Sequence, residues 1–130
     1  MTALPITLAT ASILGIILIW LSARVIASRV KNEALIGDIG NQELLFAIRA
    51  HGNFTEYAPI FLILLGLLEY SGGNGTALTV MAGLFIVARP LHVLGMGENA
   101  NLKLRQIGMV LTFTVIIAGS LYGLYLSLAA

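Results

Sequence analysis

The sequence predicts an all-α integral membrane protein, a four-helix bundle whose termini both lie on the non-cytoplasmic side. Three observations support this prediction. Of 130 residues, 58% are hydrophobic and only 10% are charged, with a mean hydropathy of +0.97, whereas a soluble domain carries about 25% charged residues. Long uncharged stretches recur along the chain, and its basic residues fall in or beside two of the three connecting loops.

Four apolar segments are long enough to cross a bilayer, which takes about 20 helical residues. They cover approximately residues 4–27, 43–69, 76–96 and 105–128, within a single domain over 1–130. The stretches between them are rich in glycine and asparagine, which favour turns over helix. These stretches are GDIGN at 37–41, SGGNG at 71–75 and GMGENAN at 95–101.

The positive charges predict the orientation of the spans. All seven lie in or beside the first and third loops: Arg24, Arg29, Lys31, Arg49, Arg89, Lys103 and Arg105. Cytoplasmic loops carry an excess of Lys and Arg, so these two loops are predicted to be cytoplasmic and both termini to lie outside. The apolar N-terminal segment lacks the positive start of a signal peptide, so it is expected to be retained as a helix.

The absence of cysteine limits the chemistry. Disulfides, zinc–thiolate sites and a thiol nucleophile of the protein's own are excluded, and no metal site is expected. Any thiol chemistry must therefore use a thiol that a ligand supplies. Nucleic-acid binding is not expected either, because no basic run with interleaved aromatic residues exists.

The segment RAHGNFTEYAP, residues 49–59, places polar groups inside the second span. At 100° per residue, Arg49, Asn53 and Glu56 fall within about 60° of one another and form one stripe. Such groups should face the bundle interior and have a partner there, because a charge at membrane depth is costly. The stripe is either a ligand site or a structural ion pair, and membrane depth favours the ligand site.

The sequence also predicts the position or role of three residues near this stripe. Tyr57 lies beside it and His51 lies on the opposite face, where it is expected to be a packing or interfacial residue. Pro59 removes a backbone donor and is expected to kink the helix.

The cytoplasmic ends of the other spans are also basic. Arg89 and His92 are three residues apart and share a helix face, although a snorkelling arginine and an interfacial histidine would explain them equally well. Arg24 and Arg105 are either membrane anchors or parts of the same site.

Together these residues suit a small anionic ligand, because arginine grips carboxylates bidentately. Glu56 could hold an amine, and the apolar walls could hold a hydrophobic second ligand.

The pattern R-A-x-x-N-x-x-E-Y-x-P-x-F, from Arg49 to Phe61, resembles the signature of the MAPEG family, the membrane-associated proteins in eicosanoid and glutathione metabolism. The resemblance covers nearly the whole chain. The stretches GDIGNQELLFAIRAHGNFTEYAPI and ARPLH are especially similar to a bacterial inner-membrane branch. The resemblance implies a homotrimer of four-helix bundles, with glutathione as co-substrate between protomers near the cytoplasmic side.

Matching positions imply roles for individual residues. Those that resemble or match glutathione-binding positions of the family are Arg24, Arg49, Asn53, Glu56, Tyr57, Arg89 and His92. Arg105 resembles the arginine that stabilises the glutathione thiolate in catalytic members. A guanidinium beside a thiol lowers the pKa of that thiol, which supplies the nucleophile.

Three positions depart from the family pattern. Met96 stands where several relatives have a tyrosine that contacts glutathione. Gln106 stands where the prostaglandin-isomerising branch has a serine, and Gly52 where that branch has another arginine. Prostaglandin isomerisation is therefore not expected.

The resemblance implies a membrane-bound glutathione transferase or peroxidase in the inner (plasma) membrane of a bacterium. It would conjugate or reduce hydrophobic electrophiles, including lipid peroxides, that reach it from the surrounding membrane lipids. One alternative is a non-catalytic membrane protein that binds glutathione or lipid. Another is a structural helix bundle with a buried ion pair.

Overall fold

The computed structural model describes residues 4–129, which form four α-helices and no strand. The helices are α1 (Pro5–Lys31), α2 (Gln42–Tyr70), α3 (Gly75–Leu94) and α4 (Leu102–Ala129). The all-α prediction is confirmed, and each helix contains most of a predicted span. Pro59 lies within α2 without ending it, and a kink at that position stays a prediction.

Asparagine side chains cap the N-termini of two of the helices. Asn41 Oδ1 accepts a hydrogen bond from the backbone nitrogen of Leu44 at 2.9 Å, and Asn74 Oδ1 accepts one from that of Ala77 at 3.0 Å. An asparagine at this position satisfies a backbone N–H that has no partner within the helix. The predicted turns GDIGN and SGGNG therefore also carry the start signals of α2 and α3.

The helices alternate in direction. The backbone nitrogen of Thr7, in the first turn of α1, donates to Glu69 in the last turn of α2 at 2.7 Å. The backbone nitrogen of Asn74 donates to the hydroxyl of Tyr122, near the end of α4, at 2.8 Å. The start of α1, the α2–α3 turn and the end of α4 therefore lie at one end of the bundle. The α1–α2 and α3–α4 loops lie at the other end.

Three of the helices in the described chain, α1, α3 and α4, are long and apolar enough to cross a membrane. The second helix carries more charge, but it has 29 residues and lies antiparallel to α1 along its length. A membrane that α1 crosses is therefore crossed by α2 as well. The chain is a multi-pass integral membrane protein.

Close packing fixes α4 against α3. A Cβ atom on Gly108 would lie 2.6 Å from both the carbonyl oxygen of Ala88 and the backbone nitrogen of His92. Glycine is thus required there for the two backbones to approach. The stacked rings of Phe61 and Phe85, 4.0 Å apart and both fully buried, join α2 to α3. These contacts set the positions of the polar groups in the interior.

Candidate functional site

Arg89 lies in the interior of the bundle, where its side chain is 0% exposed. Its Nη1 atom donates to Thr112 Oγ1 of α4 at 3.0 Å, and its Nη2 atom donates to Asn53 Oδ1 of α2. The interpretation of Arg89 as a snorkelling arginine is therefore wrong, because the guanidinium is turned inward. Arg89 is instead the residue through which α2, α3 and α4 make polar contact.

Aromatic rings, and no carboxylate, surround this cation. The Cζ atom of Arg89 lies 6.0 Å from the ring centroid of Phe54, 5.8 Å from that of Tyr57 and 5.9 Å from that of Phe85. A guanidinium over aromatic faces gains cation–π attraction. The only ion pair within residues 4–129 joins Lys31 to Glu43 at the surface. Neutral groups alone therefore compensate the buried charge of Arg89.

Thr112 is a site residue that sequence reasoning missed. Its side chain is fully buried, and its hydroxyl donates to the carbonyl oxygen of Gly108 at 2.8 Å while accepting from Arg89. One signal could have found it: Thr112 lies four residues after Gly108 in an apolar span, and this spacing puts both on one helix face.

His92 is buried beside Arg89, with 2% of its surface exposed. The prediction that these two residues share a face is confirmed, and the interfacial interpretation of His92 is wrong. Its Nδ1 atom is buried and makes no hydrogen bond within the described chain. No cluster of His, Asp or Glu side chains that could hold a metal ion occurs among residues 4–129.

The predicted stripe on α2 is divided by the packing. Asn53 is half-buried and turns toward Arg89, whereas Arg49 and Glu56 are exposed on the bundle surface. The expectation that the stripe faces the bundle interior is right for Asn53. It is wrong for Arg49 and Glu56, which form no ion pair with each other.

The position of the buried face of α2 explains this division. That face follows Ala50, Phe54 and Ala58, which are all buried. On a helical wheel Asn53 lies at the edge of this face, and Arg49 and Glu56 lie progressively further from it. The stripe therefore crosses the boundary between the interior and the outer surface of the bundle.

His51 lies on the other side of α2, as predicted. Its Nε2 atom is 3.1 Å from Ser22 Oγ of α1. The expectation that His51 packs away from the stripe is confirmed.

Arg49 and Arg105 lie at the same height on parallel helices. The rings of Tyr57 in α2 and Phe113 in α4 are in edge contact, with centroids 5.7 Å apart. Each arginine precedes its ring by two turns, or about 12 Å of helix, toward the end with the α1–α2 and α3–α4 loops. Both arginines are exposed. The outer surface of the single chain therefore carries two positive charges, one on α2 and one on α4, at the same height along the bundle.

Arg24 lies apart from the Arg89 region. Its guanidinium lies 5.2 Å from the ring centroid of Trp20, and its side chain lines a cavity of about 550 Å³ between the α1–α2 and α3–α4 loops. Met96 lines the same cavity. Arg24, a predicted glutathione-binding residue, and Met96, a departure from the expected pattern, therefore line the same cavity at the loop end of the bundle.

A larger apolar cavity, of about 850 Å³, lies between α2 and α4 at the opposite end. Leu64, Leu68 and Leu124 are among the residues that line it. Leu64 is eleven residues beyond Asn53, which places it about 16 Å further along α2. In one chain the apolar cavity and the polar residues are therefore separated along the membrane normal.

Known proteins resemble this chain over most of its length. The family model described as MAPEG family matches residues 7–125. The inner membrane protein YecN of Escherichia coli strain K12 is 28% identical over 103 residues, which cover 79% of this chain and 78% of that protein. The protein of the same name from Escherichia coli O6:H1 matches to the same extent. No solved structure matches significantly.

Proposed function

Because this chain belongs to the MAPEG family, we propose that it binds glutathione near its cytoplasmic end and transfers it to hydrophobic electrophiles in the inner membrane. The observation that carries the proposal is the exposed polar surface of α2. Arg49 and Glu56 lie on that surface within a membrane-crossing helix. A charged side chain within the membrane is costly, and the cost reaches about 2.5–3.5 kcal/mol at the bilayer centre even on lenient scales. A ligand that pairs with both charges would offset this cost.

Glutathione has the complementary groups. It carries two carboxylates, one ammonium group and two peptide units. Arginine binds carboxylates through paired hydrogen bonds, which is the role proposed for Arg49. Glu56 would accept from the ammonium group, and Asn53 and Tyr57 would hydrogen bond to the remaining polar groups. Arg24, Arg89 and His92 complete the proposed glutathione-binding set, although burial of Arg89 and His92 in the single chain favours indirect roles for them.

The proposed assembly is a homotrimer with glutathione between neighbouring copies. One chain leaves Arg49, Glu56 and Arg105 exposed on its outer surface, where lipid chains would be unfavourable neighbours. A second copy would cover these residues and enclose the tripeptide against them.

Arg105 is the proposed catalytic residue. It is exposed at the start of α4 and at the height of Arg49. Its guanidinium would stabilise the glutathione thiolate by lowering the pKa of the thiol. The thiolate would attack the electrophilic carbon, a sulfur–carbon bond would form, and the leaving group would depart with its electron pair. With a lipid hydroperoxide, two glutathione molecules would supply two electrons and form their disulfide, giving an alcohol and water.

A non-catalytic protein that binds glutathione or lipid is the second candidate. One observation favours it: the large apolar cavity lies toward the end of the bundle opposite Arg105. A hydrophobic molecule held there by a single chain would not reach a thiolate beside Arg105. The departure at Met96 agrees with this candidate.

A titration of the detergent-solubilised protein with glutathione tests the proposal. Saturable binding together with conjugation of chlorodinitrobenzene supports the transferase. Binding without conjugation of this or other electrophiles, including lipid hydroperoxides, supports the second candidate. Absence of glutathione binding overturns both glutathione proposals.

A further inference from the structure

We propose that Thr112 and Arg89 are positioning residues, which fix the side-chain amide of Asn53 so that it donates hydrogen bonds to an acceptor group of bound glutathione. The three residues form a continuous chain of hydrogen bonds from α4 through α3 to α2. This inference rests on the proposed function. To the proposed function it adds the orientation of the Asn53 amide and the two residues that determine this orientation.

The chemistry of arginine determines which atom of Asn53 faces inward. A guanidinium has several N–H donors and no acceptor, so its partner on Asn53 must be the amide oxygen. The amide nitrogen of Asn53 consequently points away from Arg89. That nitrogen makes no hydrogen bond to other groups within residues 4–129, and the side chain is only half-buried. Asn53 therefore offers N–H donors toward the exposed side of α2.

Thr112 keeps Arg89 in the orientation that this contact needs. Its hydroxyl hydrogen is used by the carbonyl oxygen of Gly108, at 2.8 Å. A lone pair of the same oxygen is then directed to Arg89 Nη1, at 3.0 Å. Contact with Asn53 alone would hold one guanidinium nitrogen and leave the plane of the group less well defined. The second contact, together with the surrounding aromatic rings, fixes the plane of the guanidinium.

The donor at Asn53 predicts the ligand chemistry at this position. Asn53 lies one turn from Arg49, on the side of α2 that also carries Glu56. The group it meets must be a carbonyl or carboxylate oxygen. A ligand with a donor there would leave both donors unpaired, and binding sites discriminate strongly against such mismatches.

The test compares two threonines of α4 that make the same local bond. Thr112 and Thr114 each donate to the carbonyl oxygen four residues earlier, at 2.8 Å, but Thr114 is exposed. Thr112→Val keeps the shape of the side chain and removes the acceptor, Thr112→Ser keeps the acceptor, and Thr114→Val is the matched control. Each purified variant is titrated calorimetrically with glutathione, and its thermal unfolding is recorded.

We expect Thr112→Val to weaken glutathione affinity about tenfold, because Arg89 would no longer hold the Asn53 amide in place and the hydrogen bond from Asn53 to the ligand would be lost. Thr112→Ser and Thr114→Val should stay within about twofold of the wild type. A merely structural role would lower the unfolding temperature of Thr112→Val without changing the affinity of the folded protein. Equal affinity of Thr112→Val and the wild type overturns the inference, as does an equal loss in Thr112→Ser.

If Thr112→Val fails to fold, a second variant tests the donor role of Asn53, without which the inference fails. Asn53→Asp retains an oxygen acceptor for Arg89 and supplies the carboxylate that the cation lacks, but it removes both donors. We expect thermal stability at least equal to that of the wild type and affinity at least about tenfold weaker. Affinity of Asn53→Asp equal to that of the wild type overturns the inference and leaves the proposed function intact. A wild-type protein that binds no glutathione overturns the proposed function, and this inference with it.

Discussion

Arg89 and Thr112 meet in the interior of the bundle, with 3.0 Å between Nη1 of the arginine and Oγ1 of the threonine. Both side chains are completely buried. A buried charge whose partners are neutral contributes little to stability, because its removal from water is only partly compensated. The contact is therefore better explained by what Arg89 positions than by the stability it provides.

Replacement of Arg89 by methionine should separate these two roles. Methionine fills similar space without a charge to desolvate, and such replacements are often neutral or stabilising. We expect the unfolding temperature of Arg89→Met to lie within about 4 °C of the wild type, which corresponds to about 1 kcal/mol. We expect its glutathione affinity to be at least tenfold weaker, which corresponds to about 1.4 kcal/mol. Arg89→Ala, which leaves a cavity, is the comparison and should unfold at a clearly lower temperature. Normal glutathione affinity in Arg89→Met would contradict the positioning role.

Two glycines of α4 should differ in their tolerance of alanine. At Gly108 the added Cβ would meet backbone atoms of α3 at 2.6 Å, and backbone cannot move aside easily. At Gly119 it would meet the ends of two flexible side chains, Met81 at 2.8 Å and Leu64 at 2.9 Å. We expect Gly108→Ala to cost about 3 kcal/mol and Gly119→Ala about 1 kcal/mol, the two ends of the range for overpacking. Unfolding in mixed detergents measures both, and equal costs would show that the α3–α4 contact is looser than described.

Glu69 should stabilise the protein more than an exposed ion pair does. Its carboxylate accepts from the backbone nitrogens of Ile6 at 2.8 Å and Thr7 at 2.7 Å, and from the hydroxyl of Thr7 at 2.6 Å. Loss of a helix cap typically costs about 1 kcal/mol, with extremes near 2. We expect Glu69→Ala to lower the free energy of unfolding by about 1–2 kcal/mol. Glu43→Ala breaks the surface pair with Lys31, in which both side chains are about two-thirds exposed, and should cost less than about 1 kcal/mol.

The orientation in the membrane can be tested without background, because the chain has no cysteine. Single cysteines are introduced at two exposed positions, Ser71 in the α2–α3 turn and Asn99 in the α3–α4 loop. The distribution of positive charge predicts that Ser71→Cys reacts with an impermeant maleimide on intact spheroplasts. Asn99→Cys should react only after the membrane is opened. The reverse pattern would place the termini in the cytoplasm.

Arg105 should affect the glutathione thiol and not only the binding of glutathione. The neighbouring Lys103 is also basic and exposed on the first turn of α4, so it serves as the control. In Arg105→Ala we expect the ultraviolet absorbance of bound glutathione thiolate to be lost and the conjugation rate to fall at least about tenfold. Lys103→Ala should keep both signals. Full thiolate absorbance in Arg105→Ala would exclude Arg105 from the proposed chemical step.

The helices could be predicted from the sequence because their signals are local. Apolar length identifies the spans, and the GDIGN and SGGNG stretches contain the turns and helix caps. The shared face of Arg89 and His92 also follows from their spacing along one helix.

The assignment of helix faces to the interior could not be predicted in the same way. It depends on which helices pack together, and in particular on the close approach at Gly108. Angles along α2 grouped Arg49, Asn53 and Glu56 correctly. They could not show that the boundary of the interior separates Asn53 from the other two, or that Thr112 completes the contacts of Arg89.

The bond between Glu69 and the first turn of α1 has a consequence for biosynthesis. The acceptor that completes this turn lies 62 residues after Thr7 in the chain, so the ribosome makes α1 long before its cap exists. Until α2 arrives, the N–H groups of Ile6 and Thr7 must find other partners, because the first turn of a helix cannot satisfy them internally. The antiparallel pair α1–α2 is therefore the first nascent segment that can fold with these groups satisfied, and we expect the two helices to settle in the membrane together.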